Sequence, residues 1–254
     1  MTVDTDAAPR VLWLLRRADD ALILGHRLSE WCGHGPTPEE DLALANIGLD
    51  QIGLARALYQ EAGAATGQTE DQLAYLRIER EWRNCLLVER PNGDFAHTMV
   101  RQLLYSAALD PYWRETARIS VDPAIAAVAA KAEKEAAYHL RHAEEWVVRL
   151  GDGTAESRRR AERALDALWP YTDELFDPDA VEAALVTDGA VPEPANIRPV
   201  WEDTVERVLG RATLARPEVR WQQRGGRAGR HSEHLGFLLA ELQYLQRTYP
   251  GATW

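Results

Sequence analysis

Apolar positions recur along most of this chain at the three- and four-residue spacing of a helix face, and no run of alternating β-branched residues suggests a strand. Leu12, Leu15, Leu22 and Leu28 mark a first helix over about Pro9 to Cys32, stopped by Gly33-His34-Gly35-Pro36. Thr37-Pro38-Glu39-Glu40 places a capping hydroxyl before Pro at the first helical position and Glu three residues after the cap, so a second helix runs to about Glu61. Thr69 caps a third, expected to reach Glu89 before Pro91-Asn92-Gly93. Asp94 caps a fourth to about Ile119, and Asp122-Pro123 opens a fifth that ends at Leu150, before Gly151-Asp152-Gly153. Thr154 caps a sixth that Pro170 bends or ends. A short helix near Pro178 to Val186, a proline-containing connection over Asp188 to Pro199, and helices over about Pro199 to Leu214 and Ser232 to Tyr249 complete the pattern. Long helices with short breakers predict an all-α, up-and-down bundle with peripheral helices, and 254 residues without an internal repeat predict one domain.

Composition sharpens this picture by exclusion. Hydrophobic residues at 46% and charged residues at 27% are ordinary for a globular chain. No stretch approaches the roughly 20 apolar residues that span a bilayer, and MTVDTDAAPR lacks the charged and apolar regions of a signal peptide, so a cytoplasmic protein is expected. A net charge of -11 opposes nucleic-acid binding, although Arg216 to Arg230 is a basic run, read as a solvated loop. Cys32 and Cys85 have neither disulfide-framework nor zinc spacing and are expected to be buried.

A long bundle invites one specific test. Carboxylate-bridged di-iron centres use a Glu from each of two helices and Glu-x-x-His from each of two others, because positions i and i+3 share a face. Of the seven histidines (His26, His34, His97, His139, His142, His231 and His234) none follows a Glu by three. Asp94-Phe-Ala-His97 comes nearest, but Asp94 sits where an N-cap belongs, and the second helix contains no histidine. Asn46 and Asp50 share a face of that helix, and Glu135 and Tyr138 have the motif spacing with Tyr in place of His. Arg101 is expected to reach Glu135 across two antiparallel helices, and His139 follows Glu135 by four. His231 and His234 lack an evident third zinc ligand. Nucleophile-elbow, phosphate-loop and dinucleotide motifs are absent.

Longer matches then extend over nearly the whole chain. Ala21-Leu22-Ile23-Leu24 with Arg27-Leu28-Ser29-Glu30-Trp31-Cys32-Gly33-His34, Asp41 to Asp50 (DLALANIGLD), Leu87-Val88-Glu89 with Pro91-Asn92-Gly93, and Lys134-Glu135 with Tyr138-His139-Leu140-Arg141 are four of them. Arg149 to Thr154 (RLGDGT) and His234-Leu235-Gly236 with Tyr244-Leu245-Gln246-Arg247 are two more. Together they resemble the C subunits of phenylacetyl-CoA epoxidases, the ring 1,2-epoxidases of aerobic phenylacetate catabolism. That resemblance implies a ferritin-like fold and a non-catalytic structural subunit, with neither catalytic residues nor cofactor of its own. A homologous catalytic partner would hold the di-iron centre, and a reductase would bring electrons from NADPH so that one oxygen atom of O2 enters the aromatic ring. It also implies acyl-CoA contact at the interface with that catalytic partner, through Glu81, Trp82, Arg83 and Asn84 and through Ala183, Ala184 and Leu185. Two rival expectations remain, a self-sufficient di-iron oxygenase or ferroxidase built on Asp50, Glu135 and His139, and an interaction protein of another pathway. Nine tryptophans, among them Trp31, Trp82, Trp113 and Trp146, offer anchors for either core or interface.

Overall fold

A computed structural model describes residues 8–219 and 221–252. Ten α-helices form it, with no strand among the described residues: α1 (Pro9–Ser29), α2 (Pro38–Thr66), α3 (Glu70–Tyr75), α4 (Leu86–Glu89), α5 (Phe95–Ile119), α6 (Pro123–Gly151), α7 (Ala155–Leu168), α8 (Ala180–Thr187), α9 (Pro194–Arg211) and α10 (Glu233–Thr248). The long helices α1, α2, α5 and α6 make the bundle, with α1 packed along α2 and α5 along α6. Helices α7 and α9 cover the α5–α6 pair, α8 lies on α1, and α10 rests on α3 and the turn that follows it. The fold is the all-α, ferritin-like bundle expected from the sequence.

Helix starts fall where the caps predict. Thr37 accepts from the Glu40 N–H and Asp94 from the His97 N–H, while Asp122 accepts from the amides of Ala124 and Ile125. Thr69 and Thr154 form reciprocal capping boxes with Gln72 and Ser157. Such caps satisfy amides that the first helical turn leaves unpaired. Helix α2 runs past Glu61 to Thr66 because its stop is Gly67, at φ 73°. Helix α9 begins at Pro194, not Pro199. Pro194 fills the first helical turn, and Pro199 follows soon enough that few hydrogen bonds are lost to its missing N–H.

The expected helix over Thr69 to Glu89 is the largest departure. Only 70–75 and 86–89 are α-helical, with a single 3-10 turn at 79–81 between them. Buried carboxylates from elsewhere capture the amides a helix would have used. The Asp19 carboxylate takes the Arg83 N–H at 2.7 Å, Asp20 takes that of Cys85 at 2.7 Å, and Glu174 takes that of Leu86 at 2.7 Å. Tertiary hydrogen bonds to charged groups outweigh the modest propensity of such a short stretch.

Buried apolar residues form one contiguous cluster, with Trp13, Trp82, Trp113 and Trp201 wholly inside it. Trp13 donates to the Tyr112 hydroxyl at 2.9 Å and Trp201 to the Leu104 carbonyl at 2.9 Å, so these polar edges are satisfied where they are buried. Trp31, Phe95 and Trp146, only partly buried, stack edge to face along one flank. Cys85 is buried as expected, but Cys32 is exposed, because α1 ends at Ser29 and Cys32 falls in the turn beyond it.

Candidate functional site

Among the places where the described residues bury charge, two differ in kind. The first is the bundle interior between α2, α5 and α6, where a di-iron bundle would keep its ligands. The buried stripe of α6 is Ile125, Ala129, Ala132, Ala136, His139, Ala143 and Val147. His139 therefore points inward, and its Nε2 lies 3.0 Å from Asp50 Oδ2 while Nδ1 lies 3.3 Å from Gln51 Nε2. Glu135, one position off the stripe, pairs with Lys131 at 3.4 Å. Its carboxyl pKa is raised, chiefly by burial and further by the nearby Asp50 charge.

Gln51, Tyr105, Ser106, Glu135 and His139 bound a cavity of about 10 Å³, the room one water needs. One imidazole and two separated carboxylates do not fit the four-carboxylate, two-histidine set of a di-iron pair. Among the described residues, no group of three or more His, Cys, Asp or Glu side chains is arranged to hold a metal ion.

Several sequence expectations about this interior need correction. Tyr138 is 39% exposed and stacks against His142, whose Nε2 meets Glu40 at 2.9 Å. Asn46 is exposed as well. The phase of the helix explains Tyr138: the stripe passes through 136 and 139, and 138 falls between them. Arg101 does not bridge to Glu135. It is fully buried and donates to the Arg90 carbonyl at 2.6 Å and the Asn92 Oδ1 at 2.6 Å. No carboxylate pairs with it among the described residues, and burial and the neighbouring Arg27 charge, against a weaker pull from Glu30, bring its pKa down to about 9. His97 stays neutral near pH 7, its pKa held down to about 4 by burial and by Arg101.

The second place is the crossing of α1 with the irregular segment 77–90 and the loop before α10. Four consecutive helical turns of α1 are apolar except for Arg16, Arg17, Asp19 and Asp20, all buried. Asp19 pairs with the Arg77 guanidinium and accepts from the Tyr59 hydroxyl at 2.6 Å. Asp20 takes a two-pronged Arg227 guanidinium, at 2.9 and 2.7 Å. Arg16 and Arg17 reach the other way, to Asp179 and Glu182 at 2.9 Å each, and so fasten α8. Glu174 accepts from the Gly225 amide at 2.8 Å, and Gly226 packs so tightly that a Cβ there would lie 2.1 Å from the Asn84 carbonyl.

Glu89 completes the crossing. It accepts from Asn84 Nδ2 at 2.9 Å and from the Ser232 amide at 2.6 Å, and meets His231 Nδ1 at 2.9 Å. His231 Nε2 lies 3.0 Å from the Trp82 carbonyl. Both ring nitrogens face acceptors, which a neutral imidazole satisfies only once and a protonated ring twice, so the site favours the charged form. Burial opposes that charge, but Glu89 outweighs it and the pKa of His231 is raised. This pairing also occupies one of the two histidines considered for zinc.

The residues implied in acyl-CoA contact flank this crossing. Glu81, Trp82, Arg83 and Asn84 are buried, and Arg77 lies 4.5 Å over the Trp82 ring. The Arg83 guanidinium donates to the carbonyls of Arg80 at 2.6 Å and Trp82 at 2.8 Å, and burial lowers its pKa. On α8, Ala183 is exposed, Ala184 half-buried and Leu185 buried. Both segments are tied to residues 16–20 of α1, one from each side of its charge cluster. Arg227, expected in a solvated loop, is instead inside; of its run, Arg220 falls outside the described residues. Sequence reading passed over Asp19, Asp20, Glu89 and Glu174, although Arg16-Arg17-Ala18-Asp19-Asp20 within an apolar helix was the signal.

Over residues 1–254 the chain matches the family model of phenylacetic acid catabolic proteins. It is 47% identical over 246 residues to the C subunit of 1,2-phenylacetyl-CoA epoxidase from Escherichia coli (strain K12), a match covering 95% of this chain and 98% of that protein. No helix among the described residues is long and apolar enough to cross a membrane.

Proposed function

The chain belongs to the family of phenylacetic acid catabolic proteins, and from that premise we propose that it is the structural, non-catalytic subunit of a cytoplasmic phenylacetyl-CoA 1,2-epoxidase. In this reading a homologous catalytic subunit holds the di-iron centre and forms the epoxide from O2, with electrons supplied from NADPH by a reductase subunit. This chain contributes packing and partner surface. One observation carries the division of labour: the interior position of His139 is filled by a hydrogen-bonded Asp50–His139–Gln51 group around a one-water cavity. The near full-length likeness to an epoxidase C subunit supports the pathway.

The acyl-CoA ligand is assigned to the edge where residues 81–84 and 183–185 flank α1. Since most of these side chains are buried, their part is to shape that edge, with Arg83 the cation among the seven residues and Ala183 the apolar contact on α8. The crossing beneath holds both segments in place, so that a ligand meets a preformed surface.

Co-expression with the candidate catalytic subunit tests this. A stable pair that oxidises phenylacetyl-CoA with a reductase and NADPH, and loses the activity when either chain is left out, is the expected result. Oxidation by this chain and reductase alone would favour the self-sufficient oxygenase built on Asp50, Glu135 and His139. Lack of association would place the chain in another pathway.

A further inference from the structure

The interior around His139 contains polar groups that the protein itself does not satisfy. In the tautomer that gives each contact one donor and one acceptor, His139 Nε2 donates to the Asp50 carboxylate at 3.0 Å and Nδ1 accepts from Gln51 Nε2 at 3.3 Å. The second contact orients the Gln51 amide. Its nitrogen is turned to the ring, so its oxygen is the end left over. Gln51 is 7% exposed, and its Oε1 has no hydrogen-bond partner among the described residues. A buried amide oxygen without a donor is costly, and such atoms are rare in folded proteins.

Gln51 lines the enclosed space of about 10 Å³, together with Tyr105, Ser106 and Glu135. Tyr105 and Ser106 are each 3% exposed, and neither hydroxyl has a hydrogen-bond partner among the described residues. Glu135 is met by Lys131 on Oε1 at 3.4 Å. Leu54, Leu109, Trp113, Ala132 and Ala136 close the remaining wall. Three helices therefore bring polar groups to one point: α2 through Gln51, α5 through Tyr105 and Ser106, and α6 through Glu135. The space admits one molecule the size of water, and the lining offers the two to four polar partners that a buried water takes.

We propose that this cavity is a binding site for a single water molecule, held by Gln51 Oε1 and by the hydroxyl of Tyr105 or Ser106. The water donates one proton to the Gln51 oxygen and accepts one from the hydroxyl, so a single molecule satisfies both. The Glu135 carboxylate is within the same lining and takes the second proton. The water thereby ties α2 to α5 and α6 in mid-bundle. The inference does not rest on the epoxidase reading, since it follows from the interior alone.

The full chain, crystallised at a resolution that shows ordered solvent, tests it. One peak is expected in the cavity, within about 2.5–3.2 Å of Gln51 Oε1 and of the Tyr105 or Ser106 oxygen. In solution the Tyr105 ring protons should show cross-relaxation with water, of the sign given by a long-lived hydration site. Gln51→Met, similar in length but without the amide, should lose both signals. An empty cavity, a peak out of reach of Gln51 Oε1, a peak with the short contacts of a metal ion, or a water that persists unchanged in Gln51→Met would overturn the proposal. Circular dichroism checks that the variant folds. Should it not, Tyr105→Phe with Ser106→Ala is the second probe, and full water occupancy in that variant counts against the site, as does failure of either measurement on the wild type.

Discussion

The bundle interior around His139 and the α1 crossing around Asp19 and Asp20 both bury ionisable groups, but only the second has built itself around them. At His139 the polar groups are few, one partner (Asp50) is partly exposed, and small apolar neighbours close the space. At the crossing, four carboxylates (Asp19, Asp20, Glu89 and Glu174) are paired with Arg77, Arg227 and His231 or with backbone amides of two irregular segments. A helix cannot offer free amides in mid-course, whereas an irregular segment can, so carboxylates buried against it find donors. The difference teaches that the buried charge at the crossing fixes the shape of a loop-built edge. Breaking each region in turn should therefore give unequal results.

Asp19→Ala should have the largest effect. It strands the Arg77 guanidinium and unpairs the Tyr59 hydroxyl and the Arg83 amide, a loss of about 3–5 kcal/mol by urea denaturation. A cost below about 1 kcal/mol would mean that the crossing is incidental.

Next is the pH dependence of the Glu89–His231 pair. Because the folded pKa of His231 is raised, its contribution is complete below the ordinary imidazole value and fades as pH climbs through the folded one. The difference in stability between wild type and His231→Phe should then fall by about 1–2 kcal/mol on moving from mildly acid to alkaline solution. A difference that grew with pH would reverse the assignment of charge.

In the bundle interior, Asp50→Ala should cost less than about 1 kcal/mol, since that carboxylate is 36% exposed and screened. Glu135→Gln should be the smallest change of all. The raised pKa means that the charged carboxylate is disfavoured in the folded protein, so removing it at neutral pH should be neutral or stabilising by a few tenths of a kcal/mol once solvent screening is allowed for. Loss of stability there would show that Glu135 carries more than its contact with Lys131.

How much of this was legible in the sequence follows from whether the cause was local. Thr37, Thr69, Asp94, Asp122 and Thr154 act within three residues, and each cap was readable. Residues 77–89 were not, because the groups that unwind them sit on α1 and near residue 174, far away in the chain. Arg101 was assigned to the wrong partner for a similar reason: the 90–92 turn folds back over it and supplies oxygens closer at hand. The missing histidine spacing was legible, but which side chains face inward was not, since Tyr138 and His139 differ by one residue and only the packing fixes the phase. Arg227 shows the converse, a guanidinium of the basic loop that a distant aspartate draws in.

The proposed division of labour between this chain and a catalytic subunit stands most directly on where the iron lies. Anomalous scattering at the iron edge, recorded from crystals of the co-purified complex, should place every iron peak in the partner bundle and none near Asp50, Glu135 and His139 of this chain. An iron peak at that position, at an occupancy matching the partner's, would contradict it.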